Sequence, residues 1–202
     1  MSTPLVPRRS FISQVTLGAT GAAGVLALAS LPVEALSAQG ATPSSPAREA
    51  WDMSWLERIN RPHRIVFDPT GSGEMAIFQL GNWMQGFADA YGKTDADLNP
   101  VIVFRHEAVG VVLTDAMQQR LGRSTQSLSQ SVDRLIGRGV IVLACNLALR
   151  GQSHMLAERE SIDQTEAHKQ IRAGVRPGVF VMPNGVFAIG RAQDAGCGYI
   201  RA

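Results

Sequence analysis

Two uninterrupted apolar runs constrain this chain more than anything else in it: Val101–Phe104 in "NPVIVFRHE" and Val140–Ala144 in "GVIVLACNLAL". A strand with one wet face alternates apolar and polar residues, whereas a strand with no polar position is covered on both faces, the habit of a parallel sheet. Parallel neighbours need long crossovers, usually helical. Periodicity supplies them. Ile77, Leu80, Trp83 or Met84, Phe87 and Tyr91 recur at three- and four-residue steps, which predicts a helix over Glu74–Tyr91 closed by Gly92. Leu113, Met117 and Leu121 predict a short helix, and Leu128, Val132, Leu135 and Ile136 a second one stopping at Gly137–Gly139. "HRIVFDPTGSG" predicts a first strand over Arg64–Phe67, ended by Asp68, Pro69 and a glycine turn. After the second run come a polar helix in "AERESIDQTEAHKQIRAG", a strand in "GVFVMP", a helix in "NGVFAIGRAQDAG" and a last short strand in "GYIRA". The expected architecture is α/β: a three-layer α/β/α domain with a five-stranded, mainly parallel sheet.

The N-terminus reads differently. Arg8 and Arg9 precede Ser10-Phe11-Ile12 and an uncharged stretch from Val15 to Leu31 that is softened by Gly18, Gly21 and Gly24. A charged start, an apolar middle and a small-residue end near Ala35 and Ser37 predict a signal peptide over residues 1–37 of twin-arginine (Tat) type. The mature protein is then expected in the periplasm, with no stable membrane insertion once the signal is removed. Residues 38–60 are expected to be a flexible leader and a short helix whose Trp51, Trp55 and Leu56 dock on the body or on a neighbouring subunit, and 61–202 the domain. A formal net charge of +2 gives no basic surface for nucleic acid, so no nucleic-acid partner is expected.

In parallel α/β sheets function gathers at the carboxyl ends of the strands. That edge should carry Asp68, Arg105, His106, Glu107 and Cys145. Cys145 follows a buried strand and precedes Asn146, which leaves four readings open: a small core residue, half of a disulfide, a metal ligand, or a nucleophile. Its placement before a helix N-terminus favours thiolate, and His106, one crossover away, could meet it there. Cys197 follows a helix and begins a strand, so it should lie at the opposite edge and not pair with Cys145. His154 and His168 lie on polar segments and read as surface residues. "PTGSGEM" lacks the Lys-Ser/Thr ending of a P-loop and the third glycine of a dinucleotide fingerprint, "GQSHM" lacks the second glycine of a nucleophile elbow, and neither Cys-x-x-Cys nor His-Glu-x-x-His occurs. No cofactor and no metal is expected.

The order of "RIVFD", "LGNWMQGF", "VIVFRHEAV", "LIGRGVIVLACNLAL" and "VMPNGVFAIGRAQDAGCGYIRA" resembles the DsrE/DsrF-like family over about residues 61–202, in particular its exported, Tat-signal branch. The resemblance implies a five-stranded parallel sheet between helices and homo-oligomers. In the sulfur-relay members a cysteine after a central strand carries persulfide sulfur, and Cys145 matches that position, with His106 as its possible assistant. The implied partners are a sulfur donor and an acceptor protein, neither identified. The competing expectation is a non-catalytic periplasmic binding or assembly protein in which Cys145 packs.

Overall fold

A computed structural model of the chain describes residues 50–202 apart from positions 70, 124 and 125. The signal expected over residues 1–37, and the leader up to residue 49, lie outside the described residues. The order is β1 (His63–Asp68), α1 (Glu74–Tyr91), β2 (Leu98–Phe104), α2 (Asp115–Arg120), α3 (Gln126–Gly137), β3 (Ile141–Cys145), α4 (Asn146–Glu160), α5 (Gln164–Ala173), β4 (Val179–Met182), α6 (Gly185–Asp194) and β5 (Gly198–Arg201). The five strands form one sheet in the order β4-β3-β2-β1-β5, and every pairing is parallel. This is the three-layer α/β/α fold that the apolar runs predict.

All seven residues of β2 and all five of β3 are buried. Their side chains point alternately to two cores. Ile102, Phe104, Val142 and Ala144 pack with Leu80, Met84, Val132, Leu149, Leu156 and Ile171 from α1, α3, α4 and α5. Val101, Val103, Ile141 and Leu143 pack on the other face with Ala188, Ile189 and Ala192 of α6. Trp55, in a 3-10 helix over Ser54–Arg58, fills the rest of that thinner layer; it is fully buried and its indole Nε1 lies 3.1 Å from Met182 Sδ. The packed body therefore extends N-terminal of residue 61, and Trp55 covers its own chain rather than a neighbour. Trp51 lies under the Arg172 guanidinium, 5.2 Å from its carbon to the ring centre.

Two expectations need correction. The segment "AERESIDQTEAHKQIRAG" does hold the expected polar helix, α5, but the helix α4 that precedes it was not expected. The segment holds the end of α4, a break at Ser161 in the left-handed conformation (φ 54°), and α5, capped by the Asp163 carboxylate accepting from the amides of Thr165 and Glu166. The first part of α4 escapes periodicity because its buried face includes Asn146, Gln152 and Ser153 beside Leu149 and Leu156. Second, β3 is not the central strand: β2 is, and β3 lies next to the edge strand β4.

That off-centre placement matters. The steps from β1 through β4 cross the sheet in one direction, with their helices on one face. The return from β4 to β5 runs through α6 on the opposite face. At the carboxyl ends of β3 and β4 the chain thus departs to opposite sides, opening a crevice between α4 and α6, which is where open α/β sheets bind ligands.

Candidate functional site

Cys145 ends β3 and is the N-cap of α4, with its Sγ 3.4 Å from the amide of Ala148, which donates to it. Across the crevice Asn184 caps α6, its side-chain oxygen accepting from the Phe187 amide at 2.8 Å. Between the two helix starts lies a cavity of about 240 Å³ whose lining includes Arg105, His106, Cys145, Asn184 and the outward-facing Leu147 and Val186. Leu147 and Val186 are 65% and 71% exposed, so the mouth is apolar. The thiol itself is only 6% exposed. Cys145 thus belongs to the wall of the cavity and is itself buried.

Arg105, one residue past β2, is held by Asp68 at the end of β1. The guanidinium grips the carboxylate with Nε and with Nη2, the latter at 2.6 Å, and the Tyr199 hydroxyl from β5 donates to the same carboxylate at 2.8 Å. Asp68 is 1% exposed. Burial alone would raise its pKa, but the hydrogen bonds from Arg105 and Tyr199, with the charges of Arg105 and Arg201, outweigh it and hold the carboxyl below its ordinary value. Arg105 is raised in turn, chiefly by the Asp68 hydrogen bond. Tyr199 is raised as well, first by donating to Asp68. The stem of Arg105 lies across the start of α6: a Cβ on Gly185 would stand 2.8 Å from Arg105 Cδ and 3.0 Å from its Cβ. Glycine is there because the arginine is there.

His106 adopts the left-handed conformation, φ 50°. Its Nε2 lies 2.8 Å from Arg105 Nη1. A guanidinium only donates, so the histidine nitrogen is the acceptor in this contact. His106 and Cys145 share the cavity, yet no hydrogen bond joins them among the described residues. Arg105, though held by Asp68, also feels the charge of Cys145, and the first amides of α4 face the same sulfur. Glu107, expected at this edge, is exposed and does not line the cavity.

The other sequence candidates fall outside the site. Both cysteines are free, and Cys197 lies before β5 at the opposite edge of the sheet, as its place in the chain predicts. Burial pushes its thiol up to about 11. Ser153 donates to the Leu149 carbonyl at 2.8 Å and so accepts from His168 Nδ1 at 3.0 Å; this half-buried His168 ties α5 to α4 rather than activating a hydroxyl. His154 is exposed. Gly73 caps α1 at φ 83°, against the Phe104 ring, which would stand 3.1 Å from an added Cβ. Among the described residues no group of three or more His, Cys, Asp or Glu could hold a metal, and no helix is long and apolar enough to cross a membrane. Sequence reasoning placed Asp68 and Arg105 at this edge but missed their clamp, Tyr199 and Gly185. A buried strand ending in Asp opposite one ending in Arg was the available signal.

No family model and no curated protein matches the chain. Among solved structures it is similar to a protein of unknown function, MTH1491 from Methanobacterium thermoautotrophicum, at 23% identity, with 69% of this chain and 99% of that chain covered and a TM-score of 0.46.

Proposed function

We propose that this chain is an exported DsrE-like thiol protein that carries sulfur as a persulfide on Cys145. The observation that supports the reading is the sulfur's place as N-cap of α4 in the wall of the crevice cavity. A thiolate is the reactive form of cysteine, and a helix N-terminus favours it. In the loading step Cys145 Sγ attacks the terminal sulfur of a donor persulfide, R–S–SH. The new Sγ–S bond forms, the donor's S–S bond breaks, and the donor leaves as its thiol, so no outside oxidant is consumed. Unloading is the same exchange with an acceptor thiolate. His106, which lines the same cavity, is the side chain placed to take the proton that moves in this exchange once Arg105 releases its Nε2.

The low exposure of Cys145, 6%, favours a second reading, a non-catalytic oligomeric binding or assembly protein in which the thiol only packs. One experiment bears on both and on export: intact mass spectrometry, before and after reduction, of protein recovered from the periplasm. The carrier reading expects loss of residues 1 to about 37 and reducible adducts of 32 Da, one added sulfur, that map to Cys145 and vanish in Cys145→Ser. A mature chain that never carries the adduct, even after incubation with a donor persulfide, leaves the packing reading. Retention of Arg8 and Arg9 refutes export by a cleaved signal.

A further inference from the structure

At the other end of the sheet, away from both cysteine readings, a larger cleft of about 530 Å³ opens where β1, β2 and β3 begin, its lining including Arg58, Arg61, Asp95, Asn99 and Arg138. Asn99 explains why it is built. This residue sits in β2, a strand buried throughout, and is itself 6% exposed. A buried amide is costly unless its donors and acceptor are used. Its oxygen accepts from the Arg61 amide and its nitrogen donates to the Arg58 carbonyl at 2.9 Å. Both ends are thus spent on fixing the backbone of two arginines on one wall.

The charges of the cleft do not cancel. Asp95 is the carboxylate in the lining, and it is occupied by a two-pronged pair with Arg138, both contacts at 2.8 Å. Neither Arg58 nor Arg61 has a carboxylate partner among the described residues. Arg58 is steadied another way: its guanidinium carbon lies 5.7 Å from the centre of the Phe180 ring, a cation–π contact that occupies the flat face and leaves the in-plane N–H groups unspent. The segment, its backbone tied down by Asn99, therefore brings to the cleft two guanidiniums without carboxylate partners among the described residues, each a two-donor fork. Guanidinium forks match the paired oxygens of phosphate and sulfate groups.

We propose that this cleft binds a phosphate- or sulfate-type dianion through Arg58 and Arg61, free or as the terminal group of a small molecule. The site is independent of the thiol at the opposite edge. Isothermal titration at fixed ionic strength tests it, with inorganic phosphate, inorganic sulfate and glycerol 3-phosphate as probes and sodium chloride as the control. Saturable 1:1 binding is expected for at least one dianion, with tighter binding of glycerol 3-phosphate if the natural ligand is an ester and of the inorganic ions if it is free. Arg58→Ala and Arg61→Ala should each weaken it about tenfold or more, a loss in keeping with removing a charge-assisted fork. Arg58→Lys, which keeps the charge but not the fork, should lose most of that affinity too, while Cys145→Ser should bind as the parent does. Because Arg61 is exposed, Arg61→Ala should melt at the parent temperature without ligand, and Arg58→Ala within a few degrees of it, since an exposed cation–π contact contributes little. Absence of saturable binding by all three probes overturns the proposal. So does binding that survives in the Arg58→Ala/Arg61→Ala double variant.

Discussion

Replacing Gly185 with alanine tests the Arg105 clamp directly. The added methyl would stand 2.8 Å from Arg105 Cδ and 3.0 Å from Arg105 Cβ, where carbon atoms normally keep about 3.5–4.0 Å. Arg105 Cβ cannot retreat without moving the end of β2, and Cδ cannot swing away without pulling the guanidinium off Asp68. Either α6 is pushed outward, an overpacking cost of about 1–3 kcal/mol, or one charge-assisted bond is lost at about 1.5–3 kcal/mol. The opposing gain is the helix preference of alanine over glycine, at most about 1 kcal/mol. Measured against a Gly→Ala change in the same helix that meets no clash, and so shares the helix gain, the expected loss is about 1–3 kcal/mol, and at about 2–4 °C per kcal/mol for a domain of this size the midpoint lies about 2–12 °C below that control. Gly190 in the same helix is the control, since nothing lies within 4 Å of a Cβ there, and Gly190→Ala should be neutral or slightly stabilising. Thermal unfolding followed by circular dichroism reads both. Arg105→Ala removes the Cδ contact but keeps Cβ, so in that background the cost of Gly185→Ala should fall without vanishing, which shows as a favourable coupling energy smaller than the full cost. A Gly185→Ala variant that melts at or above the Gly190→Ala temperature would falsify the clamp.

Other consequences follow from the same edge and its opposite. Asp68 has a folded pKa depressed below the unfolded value of about 3.9. Its contribution is therefore complete above that value and is lost as pH falls through the lower folded value. Asp68→Asn should cost about 2–4 kcal/mol at neutral pH, allowing for the partial exposure of Arg105, and denaturant titrations should show the gap to the parent closing on acidification below about pH 4. Cys197, with its thiol pushed up from 9.0 to about 11, should carry about 100-fold less thiolate at pH 8 than an unshifted thiol and should resist iodoacetamide until the protein unfolds, as peptide mapping would report. The apolar residues exposed near the crevice, Leu147, Val186 and Phe187 with Tyr199, point to self-association, so light scattering at micromolar concentration should give a mass of two or more subunits; a clean monomer refutes it.

The sheet was legible because its signal is two-sided burial: β2 and β3 have no polar residue between Val101 and Phe104 or between Val140 and Ala144, and short apolar runs bounded by turn residues and separated by helical periodicity fit strands covered on both faces. Strand order was not legible. Position in the chain makes β3 look central, whereas the return of β5 to the far side of β1 leaves it beside the edge. The site was half legible. Asp68, Arg105, His106 and Cys145 could be assigned to one edge by counting strands, but which of them touch depends on features that periodicity does not carry. His106 turns back onto Arg105 through a left-handed backbone, and Tyr199 reaches Asp68 from the last strand, 131 residues away. The role of Asn99 was hidden for a related reason: nothing in the sequence shows that this strand residue is buried with its amide spent on the backbone of Arg58 and Arg61.

The choice of cysteine at position 145 is itself an argument about function. The residue does a structural job, accepting the Ala148 amide as the cap of α4. For that job sulfur is a poor acceptor, and serine, threonine, aspartate and asparagine are better by about 0.5–2 kcal/mol relative to non-capping residues. In this same chain Asp163 and Asn184 cap α5 and α6 with oxygen. Cys145→Ser would exchange a weak cap for a strong one while giving up some apolar contact, on the order of 1 kcal/mol for a group the size of one methylene. The two terms nearly cancel, so urea denaturation of Cys145→Ser should place its stability within about 1 kcal/mol of the parent, with the oligomer mass unchanged. If capping and packing are served equally well by serine, the thiol is present for its chemistry. A loss well beyond 1 kcal/mol, together with a Cys145 that resists alkylation in the folded protein, would instead make the sulfur a packing element and remove the carrier reading.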